Sequence, residues 1–224
     1  METFKFKNVN SNDLGIIVKE MPPIIRAERN IESIEIAGRN GNLYIDNNTY
    51  KTKKYQINCI LKNLDHVDEI KSLYLGKGKL ELSTEPNREY DAVISNKIDI
   101  SKYLQYLREF PLEFELNPIA YSINEKIIEI TKSQNISIDG NTNAKLILII
   151  FGVGTVTINN IPVTVTESEV VIDCDLMNCT KNNMNKNDKV DLEEFPYLKN
   201  GENAITLGSG ITKIKIIYKE GWLW

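Results

Sequence analysis

Few residue types in this chain are suited to catalysis or metal binding. Its 224 residues include one histidine, His66, and three cysteines, Cys59, Cys174 and Cys179. Hydrolytic triads need a general base beside a nucleophile, and nothing near His66 in the sequence completes one. A zinc site built on Cys174 and Cys179 needs two further ligands, and the only histidine is over 100 residues away. The sequence therefore predicts no catalytic residue, no metal and no cofactor.

Acidic residues offer a second kind of chemistry, because glycosidases act with two carboxylates placed across a cleft. Asp173 and Asp175 share one face of a predicted strand, and Asp191, Glu193 and Glu194 follow them. With 31 carboxylates in the chain, such groups also arise by chance on solvated turns and strand edges. We favour that interpretation, and a hydrolase that uses Asp173 or Glu193 remains an alternative.

Exposed aromatic side chains could provide a third function, a stacking platform for a sugar. The candidates in the second half of the chain are Tyr197, Tyr218, Trp222 and Trp224. Packing in the core, or against a partner, explains these residues equally well. The closing "KEGWLW" predicts a docked tail, since two free tryptophans would expose an apolar patch.

The overall composition excludes several protein classes. Apolar residues make up 42% of the chain, which is too many for a disordered protein. No apolar run reaches the roughly 18 residues of a membrane span, and the start "METFKFKNVN" lacks the apolar core of a secretory signal. The net charge is −4 without a long basic block, so nucleic-acid binding is not expected.

Alternation of apolar and polar residues dominates the first half and predicts half-buried strands. The inward positions are Phe4 and Phe6; Ile34 and Ile36; Tyr55, Ile57, Cys59 and Leu61; and Phe110, Leu112, Phe114 and Leu116. One helix is predicted, with Asp65 as its cap, an apolar stripe from Val67 to Tyr74, and Gly76 and Gly78 as its stop. A second short helix or a strand is predicted over 101–107, and Pro118 marks a strand end or edge.

The second half shows about eight short strand candidates separated by Asn, Gly and Asp turns. In "TINNIPVTV", Asn159 and Asn160 tolerate positive φ and predict a tight hairpin. We predict a mainly β protein of two domains. Residues 1–120 form an N-terminal β-sandwich or barrel-like domain with one α-helix, and residues 121–224 a C-terminal β-sandwich of jelly-roll type.

The segment "AGRNGNLYI" at 37–45 places Arg39 between glycines and between strand-like runs. Such a stretch can be a ligand loop, a catalytic turn or the tip of a hairpin. In the order of its predicted strands, turns and helix and in their residue patterns, nearly the whole chain resembles the distal tail proteins of tailed bacteriophages, the Dit family of siphovirus-type tail tips and baseplate hubs. The "GRNG" followed by Asp46 and Tyr50 is the most telling piece, and "FPYLKNGEN" at 195–203 the second.

The resemblance implies a structural role and no enzymatic activity. Dit-family proteins form hexameric rings at the tip of the tail tube, in which N-terminal domains close the ring and a hairpin embraces the neighbouring subunit. The resemblance implies a galectin-like C-terminal domain that holds receptor-binding proteins or touches the host cell wall. The implied partners are the tail-tube protein, the tape-measure protein, the tail-associated lysin or hub and receptor-binding proteins, within a virion made in the host cytoplasm.

On this basis, Arg39, Asn40, Asp46 and Tyr50 are candidate subunit-interface residues, with the glycines allowing the bend of the hairpin and Arg39 reaching a neighbouring carboxylate. We expect residues 31–58 to supply much of the contact between subunits. Tyr197, Trp222 and Trp224 are candidate contacts for a glycan or a protein partner. The alternative function is a carbohydrate-binding module that uses the C-terminal sandwich.

Overall fold

The computed structural model describes residues 2–62, 65–94 and 108–223. Its contacts divide the chain into two units. Unit 1 is Met1–Ala120 with Leu223–Trp224, and unit 2 is Tyr121–Trp222. Within the described ranges, no helix is long and apolar enough to span a membrane.

Unit 1 contains nine strands, one α-helix and a short 3-10 helix among the residues that the structure describes. The strands are β1 (Phe4–Phe6), β2 (Val9–Asn10), β3 (Ile16–Glu20), β4 (Arg29–Ile34), β5 (Leu43–Tyr50), β6 (Lys53–Leu61), β7 (Gly76–Leu82), β8 (Arg88–Ile94) and β9 (Arg108–Ser122), whose end enters unit 2; the helices are the 3-10 helix Ser11–Leu14 and α1 (Val67–Leu73). Seven strands form a sheet in the order β3-β6-β9-β8-β7-β1-β2, and β4 pairs only with β5.

The seven strands of this sheet turn one face towards a common core. The predicted inward positions on β1, β6 and β9 are all buried, which confirms the period-2 pattern on these strands. An aromatic cluster of Phe4, Phe6, Tyr74 and Phe114 lies at the centre, with ring centroids 5.5 to 6.0 Å apart. This packing of aromatic rings adds to the stability of the unit 1 core.

Helix α1 is present, but its ends differ from the prediction. The N-cap is His66 and not Asp65, and no side chain caps the first turn. The helix ends at Leu73, and Gly76 and Gly78 lie in β7, so they do not stop it. The apolar stripe is confirmed, since Ile70 and Tyr74 are buried and Val67 and Leu73 pack against the same core. Packing of this stripe, more than capping, therefore positions the helix.

Two other predictions about the first half have different outcomes. The helix or strand predicted over 101–107 lies outside the described residues. Pro118 does not end a strand, because β9 continues through it to Ser122. Leu116 and Ala120 on either side of the proline are buried, and their packing outweighs the single backbone donor that proline lacks.

Unit 2 consists of two sheets that face each other across a second core. Its strands are β10 (Lys126–Ile130), β11 (Gln134–Ile138), β12 (Thr142–Gly152), β13 (Gly154–Ile158), β14 (Ile161–Val165), β15 (Val170–Asp173), β16 (Asn178–Lys181), β17 (Met184–Asn185), β18 (Val190–Asp191), β19 (Gly201–Leu207) and β20 (Ile211–Leu223), with a 3-10 helix at Asn187–Lys189. The sheets run β17-β16-β15-β12-β20-β10 and β11-β19-β13-β14-β18. The predicted mainly β fold class is confirmed.

The hairpin predicted in "TINNIPVTV" is present in the second sheet. Ile158 pairs with Ile161, and Asn159 and Asn160 between them have φ of 50° and 70°. Two positive φ values in a two-residue loop match the right-handed twist of the flanking strands. The local sequence therefore determined both the turn and the register of β13 against β14.

Candidate assembly site

The glycine-bracketed Arg39 lies at the tip of a two-stranded arm formed by β4 and β5. The pairs Ile34 with Leu43 and Glu32 with Ile45 set the antiparallel register. At the tip, Gly38 and Gly41 have φ of +81° and +82°, a region that glycine occupies without strain. The Arg39 amide donates to the Ile36 carbonyl at 3.1 Å and closes the turn. Of the three possibilities for this stretch, the structure shows a hairpin tip.

The arm exposes aliphatic side chains along its length. The prediction that Ile34 and Ile36 lie on the buried face of a strand is wrong for the single chain, since they are 37% and 39% exposed. Cross-strand partners share a face in an antiparallel pair, so Glu32, Ile34, Leu43 and Ile45 line one side of the arm. We call these four residues the aliphatic face. Nothing in the described part of the chain covers it.

The base of the arm is fixed by a clamp around Arg29. The Arg29 Nε lies 2.7 Å from the Asp46 carboxylate, and its Nη2 donates to Asn48 Oδ1 at 2.8 Å. The Asn48 amide in turn donates to Asp46 Oδ1 at 2.9 Å. The Arg29 guanidinium also lies 5.9 Å from the centroid of the Tyr50 ring. These contacts form at an irregularity in the ladder, where Asn48 has a positive φ of 53°.

The electrostatics of the clamp favour the charged form of Asp46. The hydrogen bond from the Asn48 amide is the main cause that lowers the pKa of the Asp46 carboxyl below its usual 3.8. Desolvation opposes it, and the contacts with Arg29 lower the pKa further. Both partners of the pair are partly exposed, so solvent screens the attraction between them. The clamp therefore contributes mainly by linking the bases of β4 and β5 to each other.

The four predicted interface residues occupy opposite ends of this arm. Arg39 and Asn40 are exposed at the tip, and their side chains make no hydrogen bond or ion pair with the described residues. Asp46 and Tyr50 lie at the base and contact Arg29 of their own chain. Sequence reasoning missed Arg29, because its partner becomes visible only once the register of β4 against β5 is known.

The second telling segment, "FPYLKNGEN" at 195–203, folds around a buried asparagine. Asn203 Oδ1 accepts from Asn159 Nδ2 at 2.7 Å and from the Lys199 amide at 2.9 Å. Its Nδ2 donates to the carbonyls of Lys199 and Gly201 at 2.8 and 2.9 Å. Every hydrogen-bonding group of this fully buried amide is engaged, which ties the loop to the β13–β14 turn.

The aromatic candidates for a glycan or partner contact are unequally placed. Tyr197 lies in the 195–203 loop and is 36% exposed. Trp222 is half-buried at the end of β20 and contacts other residues, and Tyr218 is buried. Trp224 lies outside the described residues. Of the candidate aromatics that the structure describes in unit 2, Tyr197 is the most exposed to a ligand from solvent.

The acidic residues near Asp173 have structural tasks. Asp173 Oδ1 accepts from the amides of Asp175 and Leu176, both at 3.0 Å, and so caps the β15–β16 turn. Asp175 pairs with the Lys145 ammonium at 3.3 Å, and Glu193 is exposed. Asp173 is thus committed to backbone hydrogen bonds, and Asp175 to an ion pair.

The cysteines and the histidine show no activated group. Burial raises the pKa of the Cys59 and Cys174 thiols to about 12, so both are protonated at neutral pH. His66 Nδ1 lies 3.0 Å from the Glu69 carboxylate at the exposed start of α1. Among the described residues, no three His, Cys, Asp or Glu side chains are grouped so that they could hold a metal ion.

Two comparisons with known proteins relate this chain to phage tails. Residues 161–222 match the sequence model of a family described as the siphovirus-type tail component, C-terminal domain (SPP1_Dit). The whole chain also superposes on all of SPP1 Dit (gp 19.1), whose crystal structure is described as a paradigm of the hub adsorption apparatus in phages that infect Gram-positive bacteria. The TM-score is 0.79 at 13% sequence identity. No curated protein sequence matches the chain.

These findings confirm the predicted resemblance to the Dit family. The family match lies in unit 2 and includes the 195–203 loop, the second of the two segments that suggested the relationship. The fold match extends over unit 1 as well, which lies outside the residues that the C-terminal-domain model matches. The number of subunits, the galectin-like character of unit 2 and the role in host attachment stay predictions.

Proposed function

With a Dit-type C-terminal domain and the fold of SPP1 Dit as the premise, we propose that the chain is a structural ring subunit at a phage tail tip. The ring is an adaptor in a phage, prophage or phage-like particle. It joins the tail tube and the tape-measure protein to the tail-associated hub and the receptor-binding proteins. No chemical step is required of the protein, which acts through the surfaces it presents to its neighbours.

The observation that carries this proposal is the arm formed by β4 and β5. An isolated two-stranded hairpin is marginally stable in water, because it lacks a sheet or helix on which to bury one face. This arm nevertheless keeps Ile34, Leu43 and Ile45 on one exposed face, with Tyr44 on the other at 68% exposure. A second subunit that covers the arm removes this apolar surface from water and supplies the missing packing.

The position of the arm on the subunit supports a ring. An arm that binds a different surface of the next copy makes a head-to-tail contact, and repetition of such a contact closes into a ring when the rotation permits. We take the number of six subunits from the Dit family. Arg39 and Asn40 at the tip would then extend furthest onto the neighbouring subunit.

Deletion of the arm tip tests the proposal. We expect the full chain to form a ring by native mass spectrometry, and a variant in which residues 38–42 are replaced by a two-residue Asn-Gly turn to dissociate into smaller species. A control variant with an altered β16–β17 turn at Asn182 and Asn183, which also have positive φ, should keep the wild-type mass. A tip variant with an undiminished ring would contradict the arm's role in assembly.

A carbohydrate-binding function of unit 2 is the second candidate, and it rests on the exposure of Tyr197. Aromatic rings that remain open to solvent on a rigid loop are suited to stacking on a sugar. Titration calorimetry of the full chain with cell-wall glycans should give a heat of binding that Tyr197→Ala abolishes. Absence of binding across a panel of glycans would leave the adaptor function alone.

A further inference from the structure

A cleft lies at the foot of the arm in unit 1. It has a volume of about 330 Å³ and is formed by the segment that precedes β4 and by the first residues of β6. Its apolar walls include Pro22, Pro23, Ile25 and Tyr55, and its charged groups include Arg26, Lys53 and Lys54. The Tyr55 hydroxyl donates to the Pro22 carbonyl at 2.8 Å and holds the two walls together.

Lys53, one of the basic residues of this cleft, has a buried ammonium group without a hydrogen-bond partner among the described residues. Its Nζ lies 4.9 Å from the centroid of the Tyr90 ring, which provides only a cation–π contact. Desolvation lowers the pKa of Lys53, more than the nearby Glu85 raises it. A carboxylate bound in the cleft near Lys53 would add to the counter-charge that Glu85 provides.

The other charges at the cleft leave its basic character uncompensated. Arg26 and Lys54 are exposed, and neither forms an ion pair with a described residue. Glu28 is the acidic residue in the lining, and it lies 3.6 Å from the ammonium of Lys51. The cleft therefore combines apolar walls with an excess of positive charge, a combination that suits an acidic side chain flanked by aliphatic ones.

The aliphatic face of the arm has the complementary composition. Glu32 lies on this face beside Ile45 in the register, and Ile34 and Leu43 follow in the next pair along the arm. The Glu32 carboxylate is exposed and has no ion-pair or hydrogen-bond partner in the part of the chain that the structure describes. Within the described residues, each subunit therefore carries an unpaired acidic residue, Glu32, on its arm and unpaired basic residues, Arg26 and Lys54, at the foot of the arm.

We propose that the cleft at the foot of one arm binds the aliphatic face of the arm of a second copy of this chain, with the Glu32 carboxylate beside Arg26 and Lys53. The proposal rests on the ring proposed above and names the acceptor site of its arm. Donor and acceptor lie at different places on each subunit, so the contact is head-to-tail and leaves one free arm and one free cleft until the ring closes.

Charge reversal tests the pairing with residues that are exposed in the subunit. We expect Glu32→Lys and Arg26→Glu each to raise the dissociation constant of the ring contact about tenfold or more, in the range of close interfacial charge pairs. The double variant Glu32→Lys with Arg26→Glu should recover most of the wild-type affinity. Glu35→Lys is the matched control, since it makes the same change one residue beyond β4, where alternation places it on the opposite side of the arm.

Lys53→Met provides a second measurement at the buried group, because it keeps most of the side chain's length and removes the charge. We expect weaker assembly together with an unchanged or higher free energy of unfolding of the separate subunit. Native mass spectrometry and sedimentation over a range of concentrations measure the first quantity, and urea denaturation of the dissociated subunit measures the second.

The outcomes separate this inference from the proposed function. Recovery of the ring in the double variant supports the pairing of Glu32 with the cleft. Rings of wild-type strength in all variants, or single-variant losses without recovery in the double variant, would overturn the acceptor site and leave the ring itself standing. A wild-type chain that stays monomeric at every concentration would overturn the acceptor site and the proposed ring together.

Discussion

The arm at 29–50 and the loop at 195–203 have similar residue compositions but opposite environments, because the loop is packed within its own unit and the arm is exposed. Both are rich in Asn and Gly, and both contributed to the resemblance to the Dit family. In the loop, Asn203 is fully buried and uses all its hydrogen-bonding groups within unit 2. In the arm, polar contacts concentrate at the base, and the remainder is exposed.

The difference shows where each segment finds its stabilising contacts. The loop is complete within one subunit, because Leu198 and Pro196 are buried and the Leu198 carbonyl accepts from the Ala144 amide at 2.9 Å. The arm has a fixed base and turn, but its aliphatic face is covered by nothing in the described chain. Mutations in the loop should therefore change folding stability, and mutations in the arm should change assembly.

The largest effect on stability is expected from Asn203→Ala. The substitution removes two donated and two accepted hydrogen bonds and leaves backbone groups of Lys199 and Gly201 without partners in a buried site. We expect a loss of about 2–4 kcal/mol in the free energy of unfolding, as for other buried polar networks. Urea denaturation measures the loss, with the exposed Asn135 on β11 replaced by Ala as the control. Equal stability of the two variants would contradict the expectation that the loop, unlike the arm, stabilises the folded subunit.

A smaller effect, confined to assembly, is expected from replacing Ile34 and Ile45 together by Ser. The two side chains lie outside the core and are 37% and 40% exposed, so the stability of the separate subunit should change by less than about 1 kcal/mol in total. The ring contact should weaken about tenfold by sedimentation, since full burial of an isoleucine is worth about 1.5–3 kcal/mol and roughly two-fifths of that remains to be gained at each position. Ile127→Ser in β10, which is 56% exposed in unit 2, is the matched control. A loss of subunit stability without a loss of assembly would show that the arm, like the loop, is stabilised by contacts within its own subunit.

The smallest effect is expected from Asp46→Asn, which weakens the clamp. We expect faster amide hydrogen exchange in β4 and β5 and little change in the exchange of the unit 1 core. The pKa of Asp46 is lower in the folded chain, so its contribution is present above the usual 3.8 and is lost as the pH falls through the folded value. In the wild type, exchange corrected for the intrinsic rate should thus rise in the arm at low pH, and Asp46→Asn should remove that rise. An unchanged pH dependence in the variant would assign the effect to another carboxylate.

Much of the fold could be predicted from local patterns in the sequence. The inward positions on β1, β6 and β9 follow from strict alternation, since a strand with one buried face needs an apolar residue at every second position. The Asn159–Asn160 turn follows from the tolerance of asparagine for positive φ. The ends of α1 were misjudged, because Asp65 and Gly76 satisfy capping rules that the packing of Ile70 and Tyr74 overrides.

The candidate site could be predicted from the sequence only in part. Alternation in "IESIEI" predicted the strand correctly and its burial wrongly, because the pattern does not say whether the covering surface belongs to the same chain. Arg29 and Lys53 carry no local motif. Their importance depends on Asp46, Asn48 and Tyr90, which are brought to them by strand pairing and sheet packing.

The sequence by itself determined that this chain is mainly β, that a turn falls at Asn159–Asn160, and which known family the chain resembles. These properties depend on short-range sterics and on the period of apolar residues, both of which are written along the chain. The tertiary structure alone decided that the arm stands uncovered, that Asp46 is held by Arg29, and that a basic cleft lies at the arm's foot. Such features arise from contacts between residues distant in sequence, whose register and burial no local pattern specifies.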